Sequence, residues 1–118
     1  MPLKQIILLL AYAAAMSCGQ ILFKLAASRS PAAGSLVDRL LALTHNAFFL
    51  VAIVLYAALT VLWVWILTFT PLSPAYVFLA LAFVITPLAG GFIFGEPLSA
   101  RFVVGIAFIA VGLLCVAG

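Results

Sequence analysis

The sequence predicts an all-α membrane protein, a bundle of four transmembrane helices, and three observations carry that reading. Of the 118 residues, 69% are hydrophobic and only 6% are charged, with a mean hydropathy of +1.49. Soluble domains carry about 25% charged residues, so this composition does not suit a water-exposed surface. The apolar residues gather into four runs, at about 3–27, 47–69, 73–94 and 99–117. Each is near the roughly 20 residues that a helix needs to cross a bilayer. The runs are continuous rather than alternating, which excludes the period-two strands of a membrane barrel. Residues 1–118 are therefore expected to form a single transmembrane domain.

The first run begins with Ile6 to Ala15, a stretch that resembles a signal-peptide core. It continues to Ala27 and no soluble domain follows it, so it is expected to remain as a spanning helix. The connection from Ser28 to Asn46 is the one long link. Arg29 to Ser35 reads as a loop with Pro31 and Gly34. Ser35-Leu36-Val37-Asp38 then resembles a capping box, and Leu36, Val37, Leu40, Leu41 and Leu43 follow at helical spacing. A short helix lying in the membrane interface over 35–45 is expected. The alternative is that this stretch extends the second spanning helix into the headgroups.

Thr70-Pro71-Leu72-Ser73-Pro74 is a tight turn, so the second and third helices form an antiparallel hairpin. Gly95-Glu96-Pro97-Leu98-Ser99 is another short turn, with Ser99 placed to cap the last helix. That helix is expected to end flush with the membrane at Gly118.

The formal net charge of +3 comes from five cations and two acids, too few for a nucleic-acid footprint. The cations serve better as topology signals. Arg29, Arg39 and Arg101 fall on one side with Lys24 nearby, and Lys4 falls on the other. The positive-inside rule then puts both termini outside the cytoplasm, although so small a bias leaves dual insertion open. Secondary transporters need two halves around a site near the midplane. Four helices supply one half, so a dimer is expected, antiparallel or with a paralogous partner.

Cys18 and Cys115 read as small apolar fillers, and neither a metal site nor a disulfide framework is indicated. No Ser/His/Asp or metal-ligand cluster is present, and His45 is a lone loop histidine, so an enzyme is not expected. No cofactor is implied.

Gln20 and Lys24 lie one turn apart near the end of the first helix. Polar groups within a spanning segment are costly and face an interior, a cavity or the headgroups. Lys24 sits close to the far membrane face, where it either snorkels toward lipid phosphates or captures a phosphate as a point charge. Gln20 is a turn deeper and is expected to face a partner helix or a cavity. No acid lies in any apolar run, which favours an anionic cargo. Tyr76 belongs either to the aromatic belt or to the mouth of a cavity.

Glu96 either satisfies helix-end amides and pairs with Arg101 or meets a cationic group on a substrate. Pro87, with Gly90 and Gly91, marks a bend that is either a hinge or a static kink. Gly105 and Gly112 lie two turns apart on one face of the last helix, either as a dimer seam or as close packing within the subunit. Trp63 and Trp65 do not share a face and read as packing or lipid-facing bulk. Ser17, Thr60, Thr68 and Thr86 are the few other polar groups at depth, which argues against a small-molecule exporter.

These pieces together resemble the small multidrug resistance superfamily, within the drug/metabolite or EamA-like transporters. The resemblance rests on Gly19 with Lys24, on Pro71, Pro74-Ala75-Tyr76, on Gly95-Glu96-Pro97-Leu98 and on Gly105 with Gly112. It implies a dimer, often antiparallel, with the last helix as the seam. The drug exporters of that superfamily carry a glutamate three residues before the glycine matching Gly19, and here that position is Met16. Gly19-Gln20 with Lys24, Ala75-Tyr76 and Glu96-Pro97 are more similar to the flippase subunits for 4-amino-4-deoxy-L-arabinose-phosphoundecaprenol.

That resemblance implies a bacterial inner-membrane transporter of a polyprenyl-phosphate-linked sugar, acting in lipopolysaccharide modification as a homodimer or as a heterodimer with a paralogous subunit. Lys24 would hold the lipid phosphate, helped by Arg29. Gln20 and Tyr76 would hydrogen-bond the sugar or phosphate, and Glu96 would meet an amine. A small-molecule exporter and a non-transporting accessory subunit are the alternatives.

Overall fold

A computed structural model of the chain describes residues 2–29 and 34–117. Positions 30–33, with Pro31 of the long connection, and Gly118 lie outside the described residues. Six helices appear among the described residues: α1 (Leu3–Ser28), α2 (Leu36–Leu43), α3 (Ala47–Leu67), α4 (Leu72–Leu79), α5 (Ala82–Phe94) and α6 (Ala100–Ala117). The protein is all-helical, with no strand among those residues. Helices α1 and α3 and the α4–α5 pair are each long and apolar enough to cross a membrane. Helix α6 has 18 residues, about 27 Å at 1.5 Å per residue, close to the thickness of a hydrocarbon core.

The termini of these helices follow from local chemistry. In α2, the Ser35 hydroxyl accepts from the Asp38 amide and the Asp38 carboxylate accepts from the Ser35 amide, closing a capping box. Residues 44–46 then separate α2 from α3, so this segment is a helix of its own and does not extend the second span. Asn46 caps α3 through its side-chain oxygen, which accepts from the amides of Phe48 and Phe49. The Ser99 hydroxyl accepts from the Phe102 amide at the start of α6. Helix α5 ends at Gly95, whose φ of 64° is the left-handed conformation that favours glycine.

The third apolar run is not one continuous helix. It breaks at Ala80–Leu81, where the amides of Ala80, Leu81, Phe83 and Val84 each bond three residues back. Such bonds tighten the helix locally. The break precedes Pro87 by more than one turn, and Pro87 itself lies inside α5.

The molecule measures 49 × 38 × 20 Å. A helix with its side chains is about 10–12 Å across, so the thin dimension holds two helices at most. Few side chains can then be covered on all sides. Helix α1 is the hub, packing against α3, α4 and α5, while α6 rests on α4 and α5. Accordingly α1 buries six residues, against three on α3 and two on the α4–α5 pair. Leu9, Tyr12, Leu59, Ile66, Ala75 and Phe78 form the buried core. The large apolar residues left exposed suit a lipid solvent, in which their burial against another helix brings no hydrophobic gain.

Polar bonds and close approach therefore fasten the helices. Four side chains tie α1 antiparallel to α3 and its flanks. Gln5 Nε2 donates to the Phe69 carbonyl at 3.3 Å, and Tyr12 OH to the Leu59 carbonyl at 2.9 Å. Tyr56 OH donates to the Met16 carbonyl at 3.1 Å, and Asn46 Nδ2 to the Ala26 carbonyl at 3.0 Å. Small buried residues, Ala13 and Ala26 on α1 and Ala52 on α3, let the helices come close. Tyr12 also packs against Trp63 with ring centroids 5.3 Å apart, whereas Trp65 is exposed and meets Phe69 edge-on. Cys18 and Cys115 are both free and exposed. They fill no gap within the chain, which corrects their reading as packed fillers.

Candidate functional site

Helix α1 turns a row of polar residues toward α5. Ser17, Gln20 and Lys24 recur at three- and four-residue intervals, which places them along one face. The deepest member is buried: Ser17 Oγ donates to the Ala13 carbonyl at 3.1 Å and accepts from Thr86 Oγ1 on α5 at 3.1 Å. This pair of hydroxyls is the polar link between α1 and α5. One turn further, the Gln20 amide reaches sideways to α3, where Nε2 donates to Tyr56 OH at 2.7 Å. Tyr56 in turn stacks on Phe23, with ring centroids 5.2 Å apart and an interplanar angle of 12°.

Gly19 makes that arrangement possible. A β-carbon there would lie 2.5 Å from Cε2 of Tyr56, so any other residue would force the ring to shift. Within this single chain, Gly19 of the Gly19-Gln20 motif thus acts through the ring on the neighbouring helix.

Two cavities open around this polar face. The first, of about 470 Å³, is lined by Gln20 and Lys24 from α1, by Thr86, Pro87, Gly90 and Gly91 from α5, and by Glu96 and Ser99 from the following turn. It therefore gathers a cation, a carboxylate, an amide and two hydroxyls. Lys24 and Glu96 share the cavity without forming an ion pair among the described residues. Nor is Glu96 paired with Arg101, which lines a separate cavity between α5 and α6 with Phe102 and Gly105.

The second cavity, of about 620 Å³, runs along α4 and α5 and contains Tyr76, which is 65% exposed. Gln20, Thr86 and Pro87 line both the first and the second cavity. Arg29 lies apart from both. It stacks over the Phe48 ring at 4.8 Å and lines a small recess with His45 and Asn46. The structure thus brings Gln20, Lys24 and Glu96 together, sets Tyr76 beside Gln20, and holds Arg29 elsewhere in the single chain.

Gly90 and Gly91 form a platform for the turn that follows α5. A β-carbon on Gly90 would lie 3.3 Å from Glu96 Oε1, and one on Gly91 would lie 2.8 Å from Leu98 Cδ1. Their small size lets Glu96 fold back over the cavity. By contrast, Gly105 and Gly112 on α6 have nothing within 4 Å of a would-be β-carbon. Close packing inside the subunit is therefore not what these two glycines do.

Tyr56, Thr86 and Ser99 escaped the sequence reading as site residues. Tyr56 offered a usable signal: it stands ten residues into an apolar helix, away from the membrane surfaces where tyrosines gather. A phenol at that depth needs a hydrogen-bond partner, and the polar face of α1 supplies one. No group of three or more His, Cys, Asp or Glu positioned to hold a metal ion occurs among the described residues.

Comparison with known proteins identifies the family. The chain is 32% identical over 101 residues to a protein of Sodalis glossinidius (strain morsitans) named "Probable 4-amino-4-deoxy-L-arabinose-phosphoundecaprenol flippase subunit ArnE". That match covers 85% of this chain and 86% of the relative. A protein of Enterobacter sp. (strain 638) with the same name is 37% identical over 67 residues, covering 57% of this chain and 63% of that one. No protein-family model and no solved structure matches the chain. Both relatives are named as flippase subunits, that is, as transport proteins rather than enzymes. With its apolar helices and its polar cavity beside α1, this multi-pass inner-membrane protein belongs to the ArnE family of flippase subunits.

Proposed function

We propose that this chain is one subunit of a dimeric flippase that carries a polyprenyl-phosphate-linked amino-sugar across the inner membrane. The observation that carries the reading is the joint placement of Lys24, Gln20 and Glu96 in one cavity. A phosphate monoanion and an ammonium are the two charged ends of such a headgroup, and the cavity holds one partner for each. Lys24 would take the phosphate as a point charge, and Glu96 would meet the amine. Gln20 and Tyr76 would hydrogen-bond the sugar along the two adjoining cavities. Arg29, apart from Lys24 in the single chain, would join only once a partner subunit docks. The names of the relatives support the same class of cargo.

The second half of the transporter would come from another copy or from a paralogous subunit, seated along the open Gly105–Gly112 face of α6. The cation-rich end, with Arg29, Arg39 and Arg101, would face the cytoplasm. Pro87, with Gly90 and Gly91, would be the hinge that lets the Glu96 turn lift from the cavity. The polyprenyl tail would stay in lipid, outside the helices.

Native mass spectrometry in mild detergent tests this, with wild type beside Lys24→Ala. Polyprenyl phosphate or its glycosylated form is expected to co-purify with wild type and to be lost from the variant. Protein that instead binds hydrophobic cations would indicate an exporter. Protein that binds neither, and tolerates loss of Gln20 and Lys24, would indicate an accessory subunit.

A further inference from the structure

We propose that the cavity between α5 and α6 is a groove for the first isoprene units of the polyprenyl cargo, with Arg101 at its polar end as a second contact for the lipid phosphate. The identity of the occupant rests on the flippase reading above.

The groove has a volume of about 560 Å³. Helix α6 supplies its length: Arg101 and Phe102, then Gly105 and Ile106, then Ile109 stand on successive turns of one face. At 1.5 Å per residue, positions 101 to 109 span about 12 Å. Phe83 and Pro87, one turn apart on α5, form the other wall. The polar members of the lining are Ser99 and Arg101, both at the start of α6, and the rest is apolar. The groove therefore runs from a cation and a hydroxyl at one end to hydrocarbon at the other. Ile106 is buried beneath it, while Phe83, Phe102 and Ile109 are exposed, so it opens outward to lipid.

This groove adjoins the headgroup cavity, because Pro87, Ser99 and Phe102 line both. Lys24 lines the headgroup cavity and Arg101 the groove. A phosphate at their junction would have a cation on each side and the Ser99 hydroxyl between them. The Ser99 oxygen already accepts from the Phe102 amide, which leaves its O–H to donate. No ion pair holds Arg101 among the described residues, and a guanidinium presents paired N–H donors that match phosphate oxygens.

An occupant of this shape carries an anion at one end and a hydrocarbon chain behind it, which is the form of a lipid phosphate. In lipid the chain gains nothing hydrophobic by entering the groove, so selection falls to close packing. Nothing lies within 4 Å of a would-be β-carbon on Gly105, so the groove widens there, between Phe102 and Ile109. The methyl branches of an isoprenoid fill such a widening, whereas an unbranched acyl chain leaves it partly empty and forfeits those contacts. Gly105 lines the groove and Gly112 does not, so a partner seated along both glycines would border the tail at Gly105.

Two measurements on the full chain test the proposal. The first uses undecaprenyl phosphate with a photoreactive diazirine in its first isoprene unit, added to the protein in bilayers. Peptide mapping should find the label on Phe83, Phe102 or Ile109. Excess unlabelled undecaprenyl phosphate should remove it, and phosphatidylglycerol should not. Label spread over Val64 and Phe92, exposed residues that do not line the groove, would leave the tail in bulk lipid and overturn the proposal. Equal competition by phosphatidylglycerol would make the groove a general lipid seat and overturn its choice of isoprenoid. An unlabelled groove, with disulfide formation between two copies carrying Ile109→Cys in a chain whose Cys18 and Cys115 are replaced by alanine, would assign it to a second copy instead.

The second measurement titrates undecaprenyl phosphate and undecaprenol, which lacks the phosphate, by native mass spectrometry. Arg101→Gln should weaken undecaprenyl phosphate about tenfold, the size of one charge-assisted hydrogen bond, and leave undecaprenol unchanged. Arg101→Lys should recover part of the loss. Equal weakening of both lipids by Arg101→Gln, or of neither, would remove Arg101 from the phosphate site. If wild type binds no undecaprenyl phosphate, the flippase reading fails and the groove proposal fails with it. If wild type binds it through Lys24 but carries the label outside the groove, the groove proposal fails alone.

Discussion

The Tyr56 ring lies so close to Gly19 that a β-carbon at position 19 would sit 2.5 Å from its Cε2 and 2.9 Å from its Cζ. The ring cannot easily yield, because Phe23 stacks on it and its hydroxyl is bonded at both sides. Gly19→Ala should therefore destabilise the fold by about 1–3 kcal/mol, the usual cost of forcing a group into a packed contact. Unfolding of the purified protein in a graded detergent mixture would measure it. Combined with Tyr56→Ala, the loss should be smaller than the sum of the two single losses, because the clash disappears with the ring.

Gly91→Ala should be milder. Its β-carbon would meet Leu98 Cδ1 at 2.8 Å, but that methyl is the far end of a flexible side chain on an exposed turn. A loss below about 1 kcal/mol is expected, at the low end of overpacking costs. The same unfolding assay, run beside Gly19→Ala, separates the rigid contact from the soft one.

The Ser17–Thr86 bond ties α1 to α5. Hydrogen bonds between membrane helices average about 0.6 kcal/mol, so Ser17→Ala and Thr86→Val should each lose roughly that much. The double variant should lose clearly less than their sum, because each single change already breaks the shared bond. A larger cost for Ser17→Ala alone would mean that its bond to the Ala13 carbonyl also matters.

Asn46 has two tasks. Its oxygen caps α3, and its nitrogen bonds the Ala26 carbonyl on α1. Asn46→Ala should cost about 1–2 kcal/mol, a typical value for a lost cap with an added tertiary bond. Asn46→Ser should recover part of that loss, since serine caps a helix but is too short to bridge to α1. Thermal unfolding of the three proteins side by side would rank them.

A β-carbon on Gly105 or Gly112 would meet nothing within 4 Å among the described residues. Replacing either with leucine should leave monomer stability within about 0.5 kcal/mol, as for surface changes elsewhere. If α6 is the seam, the same changes should sharply reduce the dimer fraction seen by cross-linking in bilayers. An unchanged dimer fraction would assign this face to lipid.

Lys24, Gln20 and Glu96 show how much of the site a linear reading can reach. Each stood out because a polar group in or beside an apolar run is costly and needs a reason. That argument does not depend on which helices touch. Tyr56 did not stand out, because a tyrosine is half apolar and passes unremarked in a greasy run. The reason for Gly19 was equally hidden, since the ring it admits belongs to a residue far along the chain. Glycine at 90 and 91 read as part of a bend, either hinge or static kink, whereas the contacts with Glu96 and Leu98 add a packing role that only the folded turn reveals.

The sequence by itself determined that this protein is helical and lives in a membrane. Apolar runs of that length must satisfy their own backbone groups in lipid, and a helix does so within the segment. It also determined several helix ends, because Ser35, Asn46, Ser99 and Gly95 act on backbone atoms only a few residues away. Only the tertiary structure decided which polar groups meet: Tyr56 with Gln20 and Met16, Thr86 with Ser17, Glu96 with the Lys24 cavity. In lipid the hydrophobic effect does not choose partners among apolar helices. The choice falls to close packing and a few directional bonds, and these depend on relative helix position and rotation, which apolar periodicity does not encode.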